Sequence, residues 1–214
     1  MGVSGLLPEP LRAIAFDWGG VFTEGTFDSS AHVRLAELHG LPADAVRPHY
    51  LRLMEDFEVG AHDMREFHQR FQSAVGATST LERFRRAFLG AVRERPVMYE
   101  LLASLPAGLT LAMLSNNVPE LSDQVRNDPR MSKLSTFVFS NEIGVCKPRR
   151  EAFDALSAAL DLPPKSIVFV DDNEGNIAAC ELLGFRGLLL DDLAGFAARW
   201  RALLPNLPLP AGFS

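Results

Sequence analysis

Apolar residues along this chain follow two different rhythms. Residues 12–17, Arg-Ala-Ile-Ala-Phe-Asp, make a short continuous apolar run closed by Gly19-Gly20, the pattern of a buried strand ended by a turn. The same pattern returns at residues 110–115, 137–140, 166–171 and 187–190, with helical spacing near 119–127, 149–161, 174–183 and 192–203. Strands alternating with helices in this way predict an α/β fold built on a parallel sheet. Between about residues 24 and 96 the rhythm is helical throughout, at 31–39, 43–57, 63–75 and 80–93, and no strand-like run interrupts it. The expected organisation is a core of residues 1–22 and 97–214 and a helical insertion of residues 23–96. Because the insertion begins directly after the first strand, it is expected over the carboxyl ends of the strands, where open α/β sheets bind ligands. Pro205–Ser214 holds three prolines and reads as an extended surface tail.

Composition narrows the function. The 214 residues are 47% hydrophobic and 22% charged, enough for one substantial core and a small accessory domain. A net charge of -6 lacks the concentrated basic face that nucleic-acid phosphates demand, so no nucleic-acid partner is expected. No apolar stretch reaches the roughly 18 residues of a membrane span, and no basic, then apolar leader opens the chain. Cys146 and Cys180 are too few for a disulfide framework and lack zinc-site spacing. The expectation is a cytoplasmic protein, monomer or homodimer, acting on a small metabolite.

Four groups of polar residues stand at or after the carboxyl ends of consecutive predicted strands. Asp17 ends the first, followed by glycines that let the backbone turn and present the carboxylate as a nucleophile. Ser115 and Asn116 end the second; they suit phosphoryl oxygens, and equally suit capping of the next helix. Lys147, one of three lysines in the chain, precedes Pro148 at a loop-to-helix junction and would offset phosphoryl or carboxylate charge, unless it is an ordinary surface lysine. Asp171 and Asp172 end the fourth strand. Adjacent carboxylates repel unless a cation or donors lie between them, and hard oxygen ligands suit Mg²⁺. One of the pair is also expected to cap the following helix.

In this order and placement the residues resemble the haloacid dehalogenase (HAD) superfamily: Asp17 as motif I, Ser115 as motif II, Lys147 as motif III and Asp171-Asp172 as motif IV. The resemblance covers the whole chain, the helical insertion corresponding to the family's C1 cap on a Rossmann-like core. Phe57-Glu58-Val59-Gly60 and Glu66-Phe67 look like a segment of relatives that carry Gly-Gly-Val in motif I. The resemblance implies a Mg²⁺-dependent phosphatase of a small phosphorylated metabolite, working through an aspartyl-phosphate on Asp17. Mg²⁺ would be held by Asp17, the backbone carbonyl of Gly19 and Asp172, with Asp171 and Asn176 in support. Ser115, Asn116 and Lys147 would hold the phosphoryl oxygens.

The sequence departs from the family at Gly19, where phosphatases carry a second Asp that protonates the leaving group and activates water. General acid-base catalysis is typically worth about 10²- to 10⁴-fold. A slow phosphatase, a substrate with a good leaving group, or a substitute among His32, Glu24 and Glu58 would follow. Dehalogenases of the superfamily also lack that Asp, yet need no metal and usually lack the acidic pair. Phosphonoacetaldehyde hydrolases share the Asp-Trp-Gly-Gly look but use a cap lysine, and residues 1–132 contain none. A phosphometabolite-binding or regulatory protein without turnover is the alternative from another class. His32, His39, His49, His62 and His68, and the cluster Arg83, Arg85 and Arg86, read mostly as solvated helix faces. Trp18, Phe22 and Phe27 are either core or walls of the site.

Overall fold

A computed structural model describes residues 8, 10–25, 27–90 and 92–213 of the chain. Five strands, β1 (Ala13–Phe16), β2 (Thr110–Ser115), β3 (Thr136–Phe139), β4 (Ile167–Asp171) and β5 (Arg186–Leu189), form one parallel sheet in the order β3-β2-β1-β4-β5. The α/β class and all five expected strands are there, displaced by a residue at some ends. β1 sits at the centre, with Phe16 in register with Met113 of β2 and Val170 of β4. Side chains alternate across it: Ile14 and Phe16 enter one apolar cluster, Ala13 and Ala15 the other.

Between β1 and β2 run α1 (Phe27–His39), α2 (Ala43–Glu58), α3 (Met64–Val75), α4 (Leu81–Leu89) and α5 (Pro96–Ser104). The chain punctuates these helices itself. The Asp63 carboxylate accepts from the Glu66 amide to start α3, and Gly76, at φ 68, ends it in the left-handed conformation. The first four helices pack around rings. Phe67 lies stacked on Phe57 at 4.6 Å and touches Phe84 and Phe88 at 5.8 and 5.6 Å. The two chain crossings that join this insertion to the sheet run side by side: Thr23 bridges Glu94, the Glu24 amide donates to the Arg93 carbonyl, and the Arg95 amide donates to that of Phe22.

Helices α6 (Pro119–Asn127), α7 (Ser140–Ile143), α8 (Arg150–Leu160), α9 (Glu174–Leu182) and α10 (Leu193–Leu203) complete the fold. Ala152, Phe153, Leu156, Ile177 and Cys180 of α8 and α9 cover the Ala13 face of the sheet; Phe196 and Trp200 of α10 cover the other. Three elements differ from expectation. Helix α5 is apolar on several sides, with Met98, Tyr99, Leu101 and Leu102 all buried, so it shows no amphipathic period. Helix α7 is a single turn. The tail is no loose surface segment: Leu207 and Phe213 are buried, and Phe213 meets Phe196 at 5.5 Å. Among the described residues no helix is long and apolar enough to cross a membrane.

Candidate active site

The turns after β1, β2 and β4 bring the sequence-selected residues together around Lys147. Its Nζ lies 3.0 Å from Asp17 Oδ1 and 2.6 Å from Asp171 Oδ2, and its side chain is 1% exposed. It is therefore no surface lysine. Burial alone would lower its pKa, yet the two carboxylates hold it above the usual lysine value. Asp17 also accepts from the Trp18 amide at 2.7 Å, and the nearby Ser115 hydroxyl helps to hold its pKa down. Burial, with the charge of Asp171 adding to it, nevertheless pushes its carboxyl up to about 7 against the opposing pull of Lys147. Burial and the Asp171 charge raise Asp172 as well.

The acidic pair divides by hydrogen bonding. Asp171 is fully buried: its Oδ1 accepts from the Asn173 amide at 2.8 Å and from Asn176 Nδ2, and its Oδ2 accepts from Asn176 Nδ2 at 3.0 Å and from Lys147. A carboxylate offers about four lone-pair directions, and Asp171 has spent them on the protein. Asp172 faces the other way, onto the cavity and against Gly20. A Cβ at Gly20 would fall 2.0 Å from the Asp172 carboxyl carbon, and φ there is +70, so both space and backbone demand glycine. Asp17, Asp171 and Asp172 each offer an oxygen within 4.8 Å of the others. The helix after them is capped by Asn173, which accepts from the Gly175 and Asn176 amides, so neither aspartate has the expected capping role.

The other residues of the sequence reading take definite places. Asn116 straps the Lys147 loop: its Oδ1 accepts from the Lys147 amide at 2.8 Å and its Nδ2 donates to the Lys147 carbonyl at 3.0 Å. Ser115 and Asn116 do not cap α6, whose N-cap is Val118. A cavity of about 210 Å³ opens in front of Asp17, walled by Trp18, Gly19, Asn116 and Asp172 from the core and by Phe27, Met54 and Glu58 from the insertion. Phe27 is thus a wall, while Phe22 is core, packed on Tyr99 at 5.1 Å. A Cβ built at Gly19 would meet nothing within 4 Å.

The histidines and arginines stay away from this cavity. Contrary to the solvated faces expected, His32 and His68 are buried, His32 beside Tyr50 and His68 against Phe84 at 4.8 Å. Arg83, Arg85 and Arg86 are exposed, Arg86 pairing with Glu82 at 2.9 Å. One residue escaped the sequence reading. The Ser140 hydroxyl, directly after β3, accepts from the Asn117 amide at 2.9 Å and donates to the Glu58 carbonyl at 2.6 Å. The signal was available: Ser140 is a polar residue at a strand's carboxyl end, like the others.

Comparisons place this fold among known proteins. Similar solved structures include a predicted HAD-like family hydrolase from Porphyromonas gingivalis, 24% identical, covering 84% of this chain and 90% of that one at a TM-score of 0.70. A HAD family enzyme from Bacteroides thetaiotaomicron, in complex with magnesium and inorganic phosphate, is 17% identical over 84% of this chain and 93% of its own, at 0.69. A dehalogenase, 19% identical, covers 92% of this chain and 99% of that one at 0.64. At such identities the likeness is one of fold. No curated protein matches the chain. A family model described as haloacid dehalogenase-like hydrolase matches residues 11–184, and with that span the chain belongs to this hydrolase family.

Proposed function

We propose that this chain is a cytoplasmic, magnesium-dependent phosphatase in which Asp17 takes the phosphoryl group of a small metabolite and water then releases it. The observation that carries the reading is the unequal pair at the end of β4. Asp171 is saturated by Lys147, Asn173 and Asn176, whereas Asp17 and Asp172 line the cavity. Three carboxylates so close, with one lysine between two of them, carry more negative charge than the protein neutralises. Hard oxygen donors in that arrangement fit Mg²⁺, held by Asp17, the Gly19 carbonyl and Asp172, with Asp171 and Asn176 fixing Lys147 and the turn. Bound there, the ion supplies positive charge for the phosphoryl oxygens.

In this reading Lys147 and Ser115, both beside the Asp17 carboxylate, take up phosphoryl oxygens, and Asn116 holds the Lys147 loop in place. Residues 23–96 act as the cap that closes the cavity. At about 210 Å³ the cavity lies below the roughly 300 Å³ where ligand pockets usually begin, which favours a compact substrate. A metal-free dehalogenase is the rival, since one similar structure is of a dehalogenase. Asp172, set against Gly20 within reach of Asp17, favours the metal.

The test is release of p-nitrophenol from p-nitrophenyl phosphate by wild type and Asp17→Asn, each with Mg²⁺ and with chelator. Release that needs both Asp17 and Mg²⁺ is expected. Equal rates in the two proteins, or halide release from 2-chloropropionate in chelator, would sink the reading.

A further inference from the structure

A phosphatase with glycine at position 19 lacks a proton carrier on its own nucleophile loop. Nothing lies within 4 Å of where a Cβ would stand there, so no neighbouring side chain has filled the place. The carrier has to come from elsewhere on the cavity wall. Of the described residues lining the cavity, Glu58 is the one ionisable side chain besides Asp17 and Asp172. The other two sequence candidates are elsewhere: His32 is buried beside Tyr50, and Glu24 is exposed toward Arg93 at 4.0 Å.

Glu58 is also held in place by the core. It ends α2, and its carbonyl accepts the Ser140 hydroxyl at 2.6 Å, while Ser140 accepts from Asn117 on the loop that follows Ser115. Two residues on, Gly60 lies so close to α7 that a Cβ would fall 2.3 Å from the Asn141 carbonyl oxygen. Glu58 Oε2 meets the Cys146 thiol at 3.9 Å, immediately before Lys147. Burial, with Glu58 beside it, pushes that thiol up to about 11, so it stays protonated and is no rival nucleophile. The end of α2 and the turn after it are therefore held at three points against Ser140, Asn141 and Cys146 of the core.

We infer that Glu58, reaching across from the insertion, carries the proton that a side chain at position 19 would otherwise carry. The inference rests on the phosphatase reading above. In the first step a carboxylate oxygen of Asp17 bonds to phosphorus as the bond to the leaving oxygen breaks, and the Glu58 carboxyl gives its proton to that oxygen. The products are an alcohol, an aspartyl-phosphate and a Glu58 carboxylate. In the second step a water oxygen bonds to phosphorus and the bond to Asp17 breaks. One water proton passes to Glu58 and the other leaves on inorganic phosphate, which restores both carboxyl groups. Ser140 is a positioning residue that acts through Glu58.

The experiment compares propyl phosphate, whose alkoxide leaves poorly, with p-nitrophenyl phosphate, in wild type, Glu58→Gln, Ser140→Ala and the double variant Gly19→Asp/Glu58→Gln. For Glu58→Gln, kcat on propyl phosphate is expected to fall about 10²-fold or more with KM little changed. With p-nitrophenyl phosphate it gives a burst of p-nitrophenol, slow turnover after it, and a phosphorylated protein visible by mass spectrometry. Ser140→Ala widens the gap between the two substrates in the same sense by a smaller factor. Gly19→Asp, entering open space, restores propyl phosphate turnover in the double variant. Glu58→Gln turning over propyl phosphate within threefold of wild type, or losing both substrates equally with no phosphorylated intermediate, overturns the role of Glu58. Wild type yielding neither p-nitrophenol nor phosphoprotein overturns the phosphatase reading itself.

Discussion

The rim of the sheet and the interior of the helical insertion are both buried, yet opposite forces hold them. At the rim, Asp17, Asp171 and Lys147 are locked by charge and hydrogen bonds, and the arrangement costs stability because like charges are crowded out of water. In the insertion, Tyr50, Phe57, Phe67, Phe71, Phe84 and Phe88 meet ring to ring, with the His32, His39 and His68 rings packed against them and, among the described residues, no carboxylate, lysine or arginine in the cluster. Burying an aromatic side chain stabilises by roughly 1.5–3 kcal/mol. On the proposed reading the first region is organised for chemistry at the expense of the fold, and the ring cluster for the fold. Substitutions in the two regions should therefore move turnover and stability in opposite directions.

The sharpest break comes from Asp17→Asn, which should reduce Mg²⁺-dependent turnover to background while the protein stays folded; steady-state assay beside circular dichroism checks it. Next in size, Phe67→Ala should destabilise by about 3–5 kcal/mol, because it empties the centre of the ring cluster. Thermal melting should show a drop of roughly 6–20 °C, with no loss of metal affinity in the folded fraction.

A smaller effect runs the other way. The Asp17 carboxyl is raised from 3.8 to about 7, so its folded value lies above its unfolded one. Its contribution to stability is complete below pH 3.8 and is lost as pH rises through about 7. Without metal, Asp17→Asn should thus exceed wild type in stability by about 1–3 kcal/mol at pH 8, and the gap should close toward pH 4. Urea titrations at the two pH values measure it; a gap that widens on acidification would refute the burial argument. The smallest effect belongs to the exposed Arg86–Glu82 pair, where Arg86→Ala should change stability by less than about 0.5 kcal/mol.

The same contrast explains what could be read from the chain alone. Strands buried on both faces, such as Ile167–Asp171, announce themselves as apolar runs, and the amphipathic helices of the insertion show their period. Helix α5 did not, since a helix apolar on several sides has no period to detect. The rim was legible as residue types at strand ends, because an α/β sheet presents whatever follows its strands. Its wiring was not. That Asn116 serves the Lys147 backbone and that Ser140 ties Glu58 to Asn117 depend on contacts distant in sequence, while the choice of Asn173 over an aspartate as the α9 cap turns on which of three adjacent residues ends the strand. The buried histidines were misjudged for a related reason: a polar residue between arginines looks solvated until its neighbours across the helix pair are known.

The paired crossings at Thr23 and Glu94 have a bearing beyond the reaction. Chain leaving the sheet at Phe22 and chain returning at Arg95 are one hydrogen bond apart. Everything between them is a loop in the topological sense, closed at its base like a stem. Cut there, the two ends would need only a tight turn to rejoin. On the proposed reading, a different lobe could be seated on the same stem above Asp17 without a change of register in the sheet beneath.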